Sequence, residues 1–302
     1  MVEFTDSELE KYNFEYSPSE HTKRYNAPDE AIQAHIKLIE KVTNRVQHEC
    51  GFVVDNNVKY GNDDDELLDI YYNESTVNDA PLFVYIHGGY WQMLTKDSSA
   101  YCVEPLVRAG FRVLIVNYSL CPKIPLTGLI QQIRNCMKFI GNYGKERGVK
   151  SISFCGHSAG AHLIMSALSD KIFWKSLENK KMIKHLYLLS GVYDLSIIRH
   201  LSVVNNNNIL GLNDQNTTEV SPLLNDFSHL KDFDLRFHLF VGEHDSKTFQ
   251  LHSDRMYEHL KSYVTEDRCS CEILQGFDHF NIVEDLRLET FLIMKKIISS
   301  KN

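Results

Sequence analysis

The hydrophobic period of the chain first changes near residue 50. In "APDEAIQAHIKLIEKVTNRVQ" the residues Ile32, Ile36, Ile39, Val42 and Val46 recur at helical spacing, and Pro28 suits a first helical turn. Farther on, "ELLDIYY" mixes apolar and polar positions on a short period, as half-buried strands do. "PLFVYI", "RVLIVNY", "SISFC", "HLYLLSG" and "RFHLFVG" are short β-branched or aromatic runs, and "CEILQGFDHFN" holds the last strand. Between them, segments 98–109, 126–144, 159–169, 247–263 and 282–298 have helical character. Strands alternating with helices of this length predict an α/β fold, with a mostly parallel central sheet flanked by helices on both faces.

Two stretches fit the alternation poorly. Residues 1–26 read as an irregular amino-terminal arm. Residues 196–230 read as a small cap insertion over the carboxyl ends of the strands, where such sheets bind ligands. No internal repeat and no Pro- or Ser-rich linker divides the chain, so residues 1–302 are expected to form a single domain.

Composition narrows the classes. A hydrophobic content of 43% with 24% charged residues suits a soluble protein with a real core. The net charge of −8, without a dense Lys/Arg cluster, argues against a nucleic-acid partner. The amino terminus lacks the basic start and apolar middle of a secretory signal, and no apolar run is long enough to cross a bilayer. The seven cysteines are odd in number and scattered, so no disulfide framework is expected and the cytoplasm is the simplest location. Cys269 and Cys271 stand two apart in a strand, on one face, where packing accounts for them.

The candidate chemistry centres on Gly156-His157-Ser158-Ala159-Gly160. It matches the G-x-S-x-G elbow, with an apolar strand before it and "AGAHLIMSALS" as a helix after it. A serine on so sharp a strand-to-helix turn needs small neighbours two residues away, and the helix directs its positive end at the site. An acyl-transfer serine also needs oxyanion donors, from the amide after the nucleophile and from a loop after an earlier strand. The Ala159 backbone supplies the first. "IHGGYW" lies where the second belongs, which makes Gly88 and Gly89 the other donors. Tyr90 and Trp91 follow the glycines and could wall a substrate ring, although a core role suits Trp91 equally. In this architecture an acid and then a histidine follow the serine along the chain. "GEHDS" after "RFHLFVG" offers Asp245, with Glu243 as the lesser choice, and the loop after the last strand offers His279. His244, His252 and His259 fit that position less well, and His162 reads as a satisfied core residue. There is no HExxH, no metal-spaced Cys/His set, no phosphate loop and no dinucleotide fingerprint, so neither metal nor cofactor is expected.

With these residues in view the sequence resembles the α/β-hydrolases, and more closely the kynurenine formamidases. The likeness runs through "EKYNFEYSPSE", "HGGYW", "NYSLCP", "GHSAGAHL", "SGVYDL", "VGEHDS" and "FDHFNIVED". It implies a small-molecule substrate, N-formyl-L-kynurenine, hydrolysed to L-kynurenine and formate, with Ser158, Asp245 and His279 as triad and Gly88, Gly89 and Ala159 around the oxyanion. Hormone-sensitive-lipase-like esterases carry a third glycine where this chain has Tyr90, which leaves open whether the Tyr90 amide is a donor. A short-chain carboxylesterase and a non-catalytic binding protein on a hydrolase scaffold are the competing readings. Whether the chain works as a homodimer is also open.

Overall fold

Apolar runs with no polar face can be strands only where both faces are covered, and here they occupy the centre of one sheet. The computed structural model describes residues 4–301; residues 1–3 of the expected arm, and residue 302, lie outside the described residues. The strands are β1 (Val53–Lys59), β2 (Leu67–Tyr72), β3 (Leu82–Ile86), β4 (Arg112–Val116), β5 (Ile152–His157), β6 (Ile183–Leu189), β7 (Arg236–Gly242) and β8 (Cys269–Leu274). They form an eight-stranded sheet in the order β1-β2-β4-β3-β5-β6-β7-β8. The β1–β2 and β2–β4 pairs are antiparallel, and every pair from β4 to β8 is parallel.

The helices are α1 (Asp6–Glu15), α2 (Pro28–His48), α3 (Val103–Arg108), α4 (Leu126–Arg147), α5 (Ala159–Leu168), α6 (Lys171–Ser176), α7 (Ser202–Asn205), α8 (Asp214–Glu219), α9 (Lys247–Lys261), α10 (Asn281–Glu284) and α11 (Leu292–Ser299). The period of two along each strand divides the core between the sheet's faces. Leu82, Val84 and Ile86 of β3 pack with Ile133 of α4, Leu163 of α5 and Met256 of α9. Phe83 and Tyr85 pack on the other side, with Ile39 and Val42 of α2, Leu106 of α3 and Ile297 of α11. Pro28 opens α2 as expected, and Gly148 closes α4 at φ 72°. Among the described residues no helix is long and apolar enough to cross a membrane.

Four details correct the sequence reading. The arm is not irregular: α1 begins with a capping box between Thr5 and Glu8, and Pro18–Glu20 add a 3-10 turn. β1 was not expected, because its "VVDNNVK" is polar, mostly exposed and bulged at the edge of the sheet. Segment 98–109 enters α3 through two 3-10 turns. Segment 282–298 is not one helix: α10 runs into the 3-10 turn Asp285–Arg287, and extended backbone at Leu288 and Phe291 separates it from α11. Segment 196–230 holds α7, α8 and several 3-10 turns, and Val203 N–H bonds Asn13 Oδ1 of α1 at 3.1 Å.

Candidate active site

Steric crowding dictates the elbow. Ser158 has φ 52° and ψ −113°, a conformation costing a non-glycine residue about 1–3 kcal/mol. A Cβ on Gly156 would lie 2.5 Å from Ala161 N, and one on Gly160 would lie 2.1 Å from the carbonyl oxygen of Ile86. The small residues on either side of the serine are therefore a packing requirement, because α5 starts against the end of β3. Ser158 N–H donates to Leu189 O at 2.8 Å, which fixes the turn to β6.

The glycine loop leaves the end of β3 and passes the same serine. A Cβ on Gly88 would stand 2.9 Å from His157 Nδ1 and 3.3 Å from Ser158 Cβ, and one on Gly89 (φ 98°) would stand 2.3 Å from Met93 O. Tyr90 and Trp91 continue with positive φ, at 51° and 62°. Ala159 is the first residue of α5, where helix geometry leaves the amide free of an intrahelical partner. Gly88, Gly89 and Ala159 are thus gathered around Ser158. Behind the loop, the His87 ring stacks on Tyr118 at 4.3 Å and its Nδ1–H donates to Gly88 O at 2.9 Å.

Asp245 and His279 meet across the carboxyl ends of β7 and β8. His279 Nδ1 lies 3.0 Å from Asp245 Oδ2 and 3.1 Å from Oδ1, both side chains being buried. That bond assigns the proton to Nδ1 and leaves Nε2 as the basic nitrogen. Phe249 sets its ring edge-on to the imidazole at 4.6 Å. Glu243 is exposed and takes no part; its Oε2 accepts Gly276 N–H at 2.8 Å. His279 and Ser158 border the same cavity, with no hydrogen bond between them.

The next residue back is held harder still. Asp278 Oδ1 accepts the N–H groups of Phe280 and Asn281, each at 2.9 Å, and both its oxygens take the guanidinium of Arg24. Burial pushes the Asp278 carboxyl up, but Arg24, the Thr22 hydroxyl and the Asn281 amide outweigh it and hold the group below its ordinary value.

The cavity holds about 240 Å³. Tyr90, His157, Ser158 and His279 line its floor, while Pro18, α2 and Val203 of α7 roof it. Ile32, Met93 and Val203 are large apolar side chains exposed at this roof. Tyr90 lines the cavity, and its hydroxyl donates to Tyr16 O. Trp91 does not line it, which corrects the expectation of a second aromatic wall. Its positive φ turns the ring into the core, fully buried, where Nε1–H donates to His162 Nδ1 at 3.1 Å. His162 in turn donates Nε2–H to Val220 O at 2.7 Å and is the satisfied core residue expected.

Sequence reasoning offered residues 196–230 as a cap over the strand ends but missed what α2 adds to this roof. Tyr16 is buried beside Phe249, and its hydroxyl oxygen lies 2.6 Å from Nε2 of His252. His35 lies on the cavity-facing side of α2 with Ile32 and Ile36. The signal was a histidine set into the apolar stripe of that helix, where only apolar residues were counted.

The sheet order and the strand–serine–helix turn are those of an α/β-hydrolase. The BD-FAE family model matches residues 68–260. Kynurenine formamidase of Drosophila melanogaster is 36% identical over 91% of this chain and 92% of its own length. Kynurenine formamidase of Danio rerio is 33% identical over 99% and 98%. The chain belongs to the kynurenine formamidase family. Among solved structures, an inhibited esterase B from Lactobacillus rhamnosis shares the fold, with a TM-score of 0.67, 19% identity and coverage of 90% of this chain and 94% of that one.

Two outcomes follow from the buried rings. Trp91→Phe leaves His162 Nδ1 without a donor and should lower stability by about 1–3 kcal/mol in urea titrations, with kcat/KM changed by no more than about twofold. His87, His162 and His252 are pushed down to about 4 by burial. Their folded values lie below the unfolded one of about 6.5, so the unfolded chain binds more protons between those limits. The stability they contribute is complete above about pH 6.5 and is lost as pH falls toward 4, on the order of 1 kcal/mol each by pH 5.5. Urea midpoints that match at about pH 7.5 and about pH 5.5 would contradict this linkage.

Proposed function

We propose that the protein hydrolyses the formamide of N-formyl-L-kynurenine to L-kynurenine and formate, using Ser158 as nucleophile, His279 as base and Asp245 as its orienting acid. The observation that carries the reading is the buried Asp245–His279 pair opening onto the cavity that holds Ser158, in a chain of this family. His279 Nε2 takes the hydroxyl proton as Ser158 Oγ attacks the formyl carbon, and Asp245 stabilises the imidazolium that forms. The oxyanion falls among the amides of Ala159, Gly88 and Gly89, each worth about 3 kcal/mol of the barrier. Collapse expels the aryl amine, which takes the proton back from His279. Water then attacks the formyl ester, with His279 again as base, and formate leaves.

The transferred acyl group carries only hydrogen on its carbonyl carbon, so Tyr90 can stand beside the reacting centre without blocking it. The aromatic part of the substrate fits the apolar roof, where Ile32, Met93 and Val203 gather. The seven cysteines are all free thiols, which supports a reducing, cytoplasmic location.

Formate release by the purified protein tests the reading. N-formyl-L-kynurenine should be turned over with a much higher kcat/KM than a short nitrophenyl ester; the opposite ranking makes this a carboxylesterase. Ser158→Ala should cut kcat by about ten-thousand-fold or more while the protein stays folded. A variant as fast as the parent would show that the serine is not the nucleophile.

A further inference from the structure

Among the described residues, no Asp, Glu, Lys or Arg side chain lines the cavity above Ser158. The substrate proposed for it nevertheless ends in an amino acid, with an α-carboxylate that must leave water for a largely apolar pocket. Ionised groups enter such places only with a partner. Three histidines reach the wall. His279 is committed to Asp245. His157 donates Nε2–H to the carbonyl of His279 at 2.9 Å, and burial together with the neighbouring His279 holds its imidazole neutral. The third is His35.

His35 is 6% exposed, and its Nδ1 lies 2.9 Å from Glu284 Oε1. Its Nε2 has no hydrogen-bond partner among the described residues. The ring rests 5.0 Å from that of Phe280, the residue after His279, so it borders the reacting end of the cavity without touching the nucleophile's own partners. Behind it lies an unbalanced cluster. Asp278 and Glu284 are both buried and share one guanidinium, that of Arg24, at 2.8 and 3.0 Å. Two carboxylates against one cation leave a negative charge over, which is costly in the interior. Among the described residues, His35 is the other basic side chain paired with them, through Glu284. With an anion at the cavity wall, a proton on each ring nitrogen would serve both partners, Nδ1–H to Glu284 and Nε2–H toward the cavity.

We infer that His35 is the specificity-determining residue that receives the substrate's α-carboxylate, through a charge-assisted bond from Nε2–H, while Glu284 fixes the ring. The inference rests on the formamidase reading. It assigns to the amino-terminal third of the chain a role in choosing amino-acid-bearing formamides over plain ones.

The test compares N-formyl-L-kynurenine with N-(2-acetylphenyl)formamide, which has the same formamide and ortho ketone but no amino acid. His35→Gln keeps a neutral donor for Glu284 and guards against loss of the fold; His35→Phe removes the donor altogether. For both variants KM for N-formyl-L-kynurenine should rise about 10- to 100-fold, with kcat held within about twofold. For the headless formamide, kcat/KM should stay within about twofold of the parent. Equal losses on both substrates would make His35 a structural or catalytic group and overturn the assignment, as would an unchanged KM for N-formyl-L-kynurenine. If the parent protein cleaves short esters but neither formamide, the formamidase reading itself falls, and the role of His35 with it.

Discussion

The constraint on which the site depends is the closeness of α5 to the end of β3. Where a side chain on Gly160 would begin, the backbone of Ile86 already stands, 2.1 Å away. This contact forces the serine between them into a left-handed conformation, and it brings the loop after β3 alongside the first turn of α5. Ser158 and the amides of Gly88, Gly89 and Ala159 are therefore positioned by main chain on main chain. Such a placement loses little to side-chain motion, since backbone amides have no rotamers to choose.

The far side of the cavity is built in a different way. Asp278 and His279 are neighbours with opposite duties: one is immobilised by a guanidinium and two backbone amides, the other keeps one nitrogen on Asp245 and the other free. The rigidity of the first is what aims the second. Because Thr22 and Arg24 supply part of that rigidity, the amino-terminal segment acts on the imidazole through its anchor as well as covering the cavity.

Legibility in the sequence followed burial. Strands β3 and β4, buried at every position, announced themselves as unbroken apolar runs. The edge strand β1 did not, since its side chains face water and an asparagine at φ 55° bends it. Helix α1 buries no residue of its own and is held by its cap, so hydrophobic spacing could not reveal it. The elbow was readable because a steric demand is written directly as glycines. Trp91 and His35 were not, because the direction a side chain takes depends on a backbone twist in the first case and on a partner some 250 positions away in the second, His35 and Glu284 being 249 apart. The separation of Asp245 from Glu243 came from position relative to β7 alone, and the structure leaves only Asp245 beside the imidazole.

The roof has a further consequence for how the molecule comes into being. Thr22 and Arg24 find their partners 256 and 254 residues downstream, and Tyr16 meets His252 at a separation of 236. A ribosome delivers the covering segment 236 to 256 residues before its moorings, so the early chain must wait, undocked, while the sheet assembles. Completion of the cavity thereby waits on β8 and the loop after it, and a nascent chain that stalls before them leaves the covering segment without its anchors.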